Sequence, residues 1–413
     1  MWWTRSVLLF VAKRKGENRV THHQTDSRTL DRALEILTEN GMDGMARALE
    51  IMFNTAMKIE RGEFLGAGPF ERTDERIGHA NGFKPRRLNT RVGALDLAIP
   101  QVRGLGDGEP GFYPRSLERG VRSERALKLA LAEMYVQGVS TRKVMAITEK
   151  LCGFEVSSTQ VSRAMQGLDA ELLAWRERPI GEIPYLILDA RYEKVRQSGA
   201  VIDCAVLIAI GVTPEGKRSI LGVSVSLSEA EVHWRHFFAS LRQRGLHGVR
   251  LVISDDHAGL KAARQAELTG VRWQRCQFHL QRNASAHVPK IAMRREVARA
   301  LRSIFNAPDR DEARRRLQLV IESYRKTAPK LAAWMDDNLP EGLTIFEFPE
   351  HQRRNLRTTN LLENLNREVR RRTRVATIFP NDASLLRLVS AVLVEVSDGW
   401  ETDRLYIAMG EER

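Results

Sequence analysis

Three cysteines among 413 residues, Cys152, Cys204 and Cys276, stand far apart and form no CxxC pair. An odd, scattered set excludes a disulfide framework and a self-contained cysteine zinc site, and it fits a reducing cytosol. Long apolar runs are also missing. The stretch SVLLFVA is seven residues, against the roughly 20 that cross a bilayer, and KRKGE follows it where a small-residue cleavage site would stand. No membrane association is expected. A Ser/His/Asp nucleophile constellation is lacking as well. Acids are in deficit, 52 Asp+Glu against 65 Lys+Arg, for a formal charge of +13. That imbalance favours a polyanionic partner through counterion release and long-range steering.

What is present suffices for folded domains. At 43% hydrophobic residues over 413 positions, two or three cores are expected rather than one. Residues 1–27 are expected to be a poorly structured extension, because neither helical period nor turn grammar runs through them. From Thr29 to Gly62 the apolar spacing is helical, with Gly41 and Gly44 marking the break of a helical hairpin. In LNTRVGALDLAIP, alternation around Gly93 predicts two short strands flanked by Lys84, Arg86, Arg87, Arg91 and Arg103. Such a basic β-hairpin suits phosphate contact, and a solvated surface ribbon would read the same way.

Between Ser123 and Trp175 the period is helical again, with Ser140 and Ser157 at N-cap positions and Gly138 and Gly153 at stops. This is helix-turn-helix grammar, with Thr159, Gln160, Ser162 and Arg163 on the early turns of a second helix, where side chains reach base edges. Plain packing helices can carry the same pattern.

After WRERPIGEIP the period changes to strands. Strands are expected at 183–190, 202–212, 217–226, 249–255 and 271–276, with helices at 229–244 and 257–267. Short links among the first three imply antiparallel pairing, while helical crossovers make the later strands parallel neighbours of the first. The result is a mixed sheet in the ribonuclease H-like order. From His279 to Arg357 the pattern is helical and charged, an insertion ahead of a last helix starting near Thr358 or Thr359. The expected architecture is multidomain α+β. An N-terminal DNA-binding region spans 28–178, the catalytic domain 179–278 and 358–413, and an all-helical insertion 279–357.

Three acids sit where this order would gather them: Asp189 after PYLIL, Asp255 after VRLVIS, and Glu363 in TTNLLENLNREVRRR. A carboxylate at the end of an apolar strand is costly to desolvate unless a cation meets it. Alone, Asp189 and Asp255 read as turn or helix caps, and Glu363 as a partner for Arg367; their joint occurrence in one strand order points to metal. Mg²⁺, with Mn²⁺ able to substitute, prefers oxygen ligands and shares its shell with substrate phosphate. Two such ions ~3.5–4 Å apart could activate a water or 3′-hydroxyl and stabilise the leaving oxygen. Arg367, Arg370, Arg371 and Arg374 fall on one stripe of the Glu363 helix, placed to clamp phosphate.

The motifs LDARYEKVR, AIGVTPEGKRSILG, SEAEVHWRHFFASLRQRGL, SDDHAGLKAA, RCQFHLQRN and TTNLLENLNREVRRRTRVATIFP occur in this order. In these the chain resembles bacterial Mutator-type insertion-sequence transposases, of the DDE class with a ribonuclease H-like catalytic domain, over roughly residues 28–413. The resemblance implies a catalytic and metal-binding triad of Asp189, Asp255 and Glu363, the second being the aspartate directly after serine. It also implies binding of terminal inverted repeats, nicking that frees 3′-hydroxyls, and joining to target DNA in a homodimer or larger multimer. A cytoplasmic, nucleoid-associated location follows. The family's Cys-x-x-His signature falls on Cys276 and His279. Two ligands do not close a zinc site, so a structural role near Asp255 is expected for them.

Overall fold

The computed structural model describes residues 27–105, 111–374, 376–402 and 405–410. Apart from Ser27, the expected N-terminal extension lies outside them. Contacts divide the chain into two compact units. One extends to Lys128 and includes Ile147–Glu155; the other comprises Leu129–Ala146 and the described residues from Val156 onward.

The first unit opens with helix α1 (Ser27–Asn40) and helix α2 (Met45–Leu65), separated by a tight turn over Gly41–Gly44. Gly41 takes a φ of +56°, a conformation that glycine enters without a Cβ clash. Strands β1 (His79–Thr90) and β2 (Gly93–Arg103) pair antiparallel through a two-residue loop at Arg91–Val92. Alternate residues Leu95, Leu97 and Ile99 of β2 are buried with Leu88, Met57 and Leu117 in a small core. Both strands run longer than the sequence suggests. The extra residues of β1, from His79 to Pro85, are exposed and carry no apolar alternation, so only backbone pairing reveals them.

Helices α3 (Arg125–Val136), α4 (Thr141–Cys152), α5 (Ser158–Gln166) and α6 (Asp169–Glu177) follow, and the division between units falls within α3 and α4. The expected starts and stops are there. Ser140 Oγ accepts from the Lys143 amide at 3.3 Å, and Ser157 forms a reciprocal capping box with Gln160.

The second unit is built on a mixed sheet of β3 (Tyr185–Gln197), β4 (Ala200–Val212), β5 (Arg218–Ser226), β6 (Leu251–Ser254) and β7 (Arg272–Arg275), in the order β5-β4-β3-β6-β7. The first three pair antiparallel, while β6 runs parallel to both β3 and β7. Helices α7 (Glu231–Gln243) and α8 (Ala258–Glu267) make the crossovers and cover one face, burying Trp234, Phe238 and Leu260 against Leu186, Leu188, Leu207 and Val252. On the opposite face Ile187, Ile208 and Ile253 meet helices α14 (Asn360–Thr373) and α15 (Asp382–Thr402) through Leu362, Leu365, Val369 and Leu388. Burying each of these leucines contributes about 1.5–3 kcal/mol.

Strand β3 does not end near residue 190, as expected, but continues to Gln197. Ser198 and Gly199 close a two-residue hairpin with φ of +49° and +85°, the left-handed geometry that matches strand twist and keeps β3 and β4 in register over their whole length. Asp189 therefore lies within a long strand; only its parallel pairing with β6 stops there. Between β7 and α14, the chain folds as helices α9 (Gln277–Ala286), α10 (Arg294–Phe305), α11 (Arg310–Tyr324), α12 (Pro329–Asn338) and α13 (Glu350–Leu356) with tight turns. Among the described residues, no helix is long and apolar enough to cross a membrane.

Candidate functional site

Register alone brings two of the acids together. The β3–β6 ladder pairs Tyr185 with Leu251 and Ile187 with Ile253. Asp189 and Asp255 each lie two residues beyond the last of these pairs, so the period of two puts both on the face covered by α14. Glu363 occupies the first turn of α14.

His279 on α9 joins these elements. Its Nδ1 lies 3.7 Å from Asp255 Oδ2 and its Nε2 3.4 Å from Glu363 Oε1. Burial works against a charged imidazole, but the Cys276 sulfur and the Asp255 and Asp189 carboxylates outweigh it and raise His279 to about 9. Burial pushes the Asp189 carboxyl up to about 7; His279 and the Ala190 amide oppose that rise, and Glu229 and Asp255 add to it. Glu229, ahead of α7, is held above the usual carboxylate range by burial and by Asp255, against the pull of His257 and Tyr192. Its Oε2 sits 3.8 Å from His257 Nδ1. This acid and Tyr192 went unmarked in the sequence.

Asn366 is a second omission, and a helical period could have found it. It stands three residues after Glu363, on the same face of α14, and its Nδ2 donates to Asp189 Oδ2 at 2.8 Å. Arg191, two residues beyond Asp189 on β3, donates to the Asn366 carbonyl at 2.6 Å. Strand and helix are thus tied on both sides of the acid.

Asp256 is turned to other work. It pairs with Lys261 and Arg275 at 3.0 Å each, and Glu341 closes the cluster at 2.9 Å from both cations. Asp255 carries no such burden and remains partly exposed.

Cys276 is fully buried. Its amide donates to the Ser254 carbonyl at 2.8 Å, next to Asp255, while its sulfur accepts from the Thr359 amide and hydroxyl at 3.3 Å. Thr359 is the N-cap residue of α14, yet its hydroxyl turns to sulfur and does not cap the helix. Burial disfavours a thiolate, but hydrogen bonds from His279 and Thr359 bring the Cys276 thiol below its ordinary value. Among the described residues, the possible metal-binding group is Cys276, His279 and Glu363, whose ligand atoms lie within 4.8 Å of one another. Asp189 and Asp255 border that group without belonging to it.

The predicted basic residues fare differently. Arg367 and Arg370 are exposed on α14, Arg371 pairs with Glu368 at 3.0 Å, and Arg374 follows the helix end. Their neighbour Arg372 is buried against Glu395. Thr159, Ser162 and Arg163 are exposed on α5, whereas Gln160 uses its side-chain oxygen in the capping box. In the first unit Arg87 is exposed, Arg91 pairs with Glu124 at 3.3 Å, and Arg86 is half-buried, donating to Tyr113 and the Val121 carbonyl. Arg86 thereby holds a loop.

The family profile described as "Transposase, Mutator family" matches residues 20–403. The chain is 56% identical over 386 residues to the transposase for insertion sequence element IS406 of Burkholderia multivorans, covering 93% of this chain and 98% of that protein. It is 42% identical over 391 residues to the transposase for ISRM5 of Rhizobium meliloti, covering 94% and 97%. With the transposase for IS256 in transposon Tn4001 of Staphylococcus aureus, identity is 40% over 364 residues, covering 87% and 92%. A solved intasome of simian T-cell lymphotropic virus, in complex with PP2A regulatory subunit B56 gamma, matches at 10% identity over 48% of this chain and 67% of that one. Its TM-score of 0.18 carries no argument about the fold.

Proposed function

The chain belongs to the Mutator family of transposases, and on that premise we propose that it binds the terminal inverted repeats of an insertion sequence, cleaves DNA strands there and transfers the freed 3′-hydroxyls to target DNA. The carrying observation is the convergence of Asp189, Asp255 and Glu363, from β3, the end of β6 and α14, around His279 and Asn366. The strand order supports reading the sheet as ribonuclease H-like, and the residues 179–278 and 358–413 as one catalytic domain interrupted by a helical insertion. Helices α4 and α5 are then the helix-turn-helix, in a DNA-binding region over 28–178.

The donor set fits a hard divalent cation such as Mg²⁺ or Mn²⁺. Asp189, Asp255 and Glu363 offer oxygen, and Glu363 Oε1 and Asn366 Oδ1 are buried without a hydrogen-bond partner. When bound, such ions supply a deprotonated attacking oxygen at neutral pH and stabilise charge on phosphate.

The chain's own residues prepare that exchange. Asn366 fixes one oxygen of Asp189 with a 2.8 Å hydrogen bond. The cation on His279 balances the acids, which would otherwise repel one another in a half-buried space. Asp255 serves as the second acid rather than Asp256, because Lys261 and Arg275 already neutralise the latter.

Exposed Arg367 and Arg370 are positioned to meet phosphate. Arg367→Ala should weaken DNA binding similarly for all sequences and lower the slope of log K against log salt by about 1. An unchanged salt slope removes Arg367 from the interface.

The reading is tested on duplex DNA carrying the imperfect inverted repeats expected to flank the gene. With Mg²⁺, nicked ends bearing 3′-hydroxyls and joined products are expected. Binding without nicking would mark a regulator, and hydrolysis without joining a nuclease; either result overturns the proposal.

A further inference from the structure

We propose that Cys276, His279 and Glu363 form a site for a thiophilic, zinc-class cation, and that its occupation withdraws Glu363 from DNA chemistry and inhibits the enzyme. The inhibitory clause rests on the function proposed above; the binding clause does not. Sequence spacing offered only Cys276 and His279, two ligands on the first turn of one helix. The fold supplies the third from α14.

The geometry suits a tetrahedral ion. Bonds of ~2.3 Å to sulfur and ~2.0–2.2 Å to nitrogen and oxygen place neighbouring ligand atoms roughly 3.3–3.7 Å apart. His279 Nε2 and Glu363 Oε1 are 3.4 Å apart, and the sulfur completes a group spanning less than 4.8 Å. Glu363 Oε1 has no hydrogen-bond partner and is buried at the atom, although the side chain as a whole is 29% exposed and gives an ion a way in.

Outer partners are also in place. The Thr359 amide and hydroxyl both donate to the Cys276 sulfur at 3.3 Å, the support that a ligating thiolate needs. Asp255 lies 3.7 Å from the far ring nitrogen of His279, too far for a hydrogen bond, so it adds negative charge beside the imidazole without fixing its orientation. Thiolate and imidazole select zinc-class ions over Mg²⁺, which demands oxygen and octahedral geometry. Three protein ligands leave the fourth position to water. Two cation classes would then compete for one glutamate, and the softer ion needs no DNA to complete its shell.

The test uses the full chain and Co²⁺ as a spectroscopic probe. Wild type should bind one equivalent of Co²⁺ with tetrahedral absorption and a thiolate-to-cobalt charge-transfer band. Zn²⁺ should displace it, and a large excess of Mg²⁺ should not. Absence of the sulfur band in wild type overturns the site, so the proposal stays open to rejection even if no variant folds. Cys276→Ser should lose the band; retention of it overturns the assignment.

In the activity arm, Zn²⁺ added over saturating Mg²⁺ should inhibit wild-type cleavage, and Cys276→Ser should require roughly tenfold more Zn²⁺ or higher, since even outer partners alter metal affinity 10–100-fold. Equal zinc sensitivity overturns the inhibitory role. A chain that shows the sulfur band yet never cleaves terminal-repeat DNA with Mg²⁺ would sink the transposase reading and leave the cation site standing.

Discussion

Asp189→Asn is expected to reduce strand cleavage by at least about 10³-fold, some 4 kcal/mol of barrier, while DNA affinity changes little. The substitution keeps the shape and removes the charge, so the hydrogen bond with Asn366 can persist while the strand's oxygen ligand becomes a poor one. A second effect runs in the opposite direction. The Asp189 carboxyl is pushed up to about 7 in the folded chain, mainly by burial, whereas an unfolded aspartate releases its proton near 3.9.

Between about pH 4 and pH 7 the folded state therefore holds a proton that the unfolded state has lost, and wild-type stability falls as pH rises through that window. Asparagine does not ionise. Without metal, the variant should match wild type below pH 4 and exceed it above pH 7, by about 1–2 °C in Tm for each kcal/mol relieved. Adding Mg²⁺ should narrow the gap by stabilising only wild type. Cleavage by the variant would remove Asp189 from the triad, and parallel stability curves for the two proteins would reject burial as the source of the shift.

The adjacent aspartates should separate just as cleanly. Asp255→Asn should cost cleavage at least ~10²-fold and little stability, because Asp255 is 41% exposed at the side chain and its ionic neighbour is His279 at 3.7 Å. Asp256→Asn should do the reverse. It strips one carboxylate from Arg275, a side chain only 3% exposed, at a cost of about 1–3 kcal/mol in urea unfolding. Glu341 and Asn338 remain to hold that guanidinium at 2.9 Å, which keeps the loss below that of a fully orphaned charge. Cleavage by Asp256→Asn should stay within about tenfold of wild type. The opposite pattern would exchange the roles of the two residues.

Much of this was legible in the chain before any coordinates. Connection lengths implied a mixed sheet, because short links and helical crossovers leave few ways to pair strands, and the apolar runs before Asp189 and Asp255 pointed to strands that end up parallel. Helix starts at Ser140 and Ser157 were equally plain, since capping is local chemistry. The omissions have a common origin in distance along the chain. A helix start near Thr359 was legible, and only the fold shows that a sulfur 83 residues upstream claims its hydroxyl. Arg86 looked like a phosphate ligand, and the Tyr113 and Val121 oxygens claim it. Past residue 190 the stretch ARYEKVRQ gives no strand signal, because it carries charge where a core strand carries apolar residues; backbone pairing with β4 continues regardless of side chain. Glu229 lacked any local mark, as burial of a lone acid leaves no pattern in a sequence.

The amide of Gln277 donates to the carbonyl of Arg357 at 3.0 Å, so the long helical excursion leaves and rejoins the sheet at one point. Topologically it is a side loop with its mouth sewn shut. Lengthening, trimming or exchanging α10 and α11 would alter a detour whose endpoints the rest of the domain already dictates, so long as His279 on α9 and the Asn338 and Glu341 contacts to Arg275 are kept. A lineage could thus remodel that part of the segment while the acid cluster stayed in place.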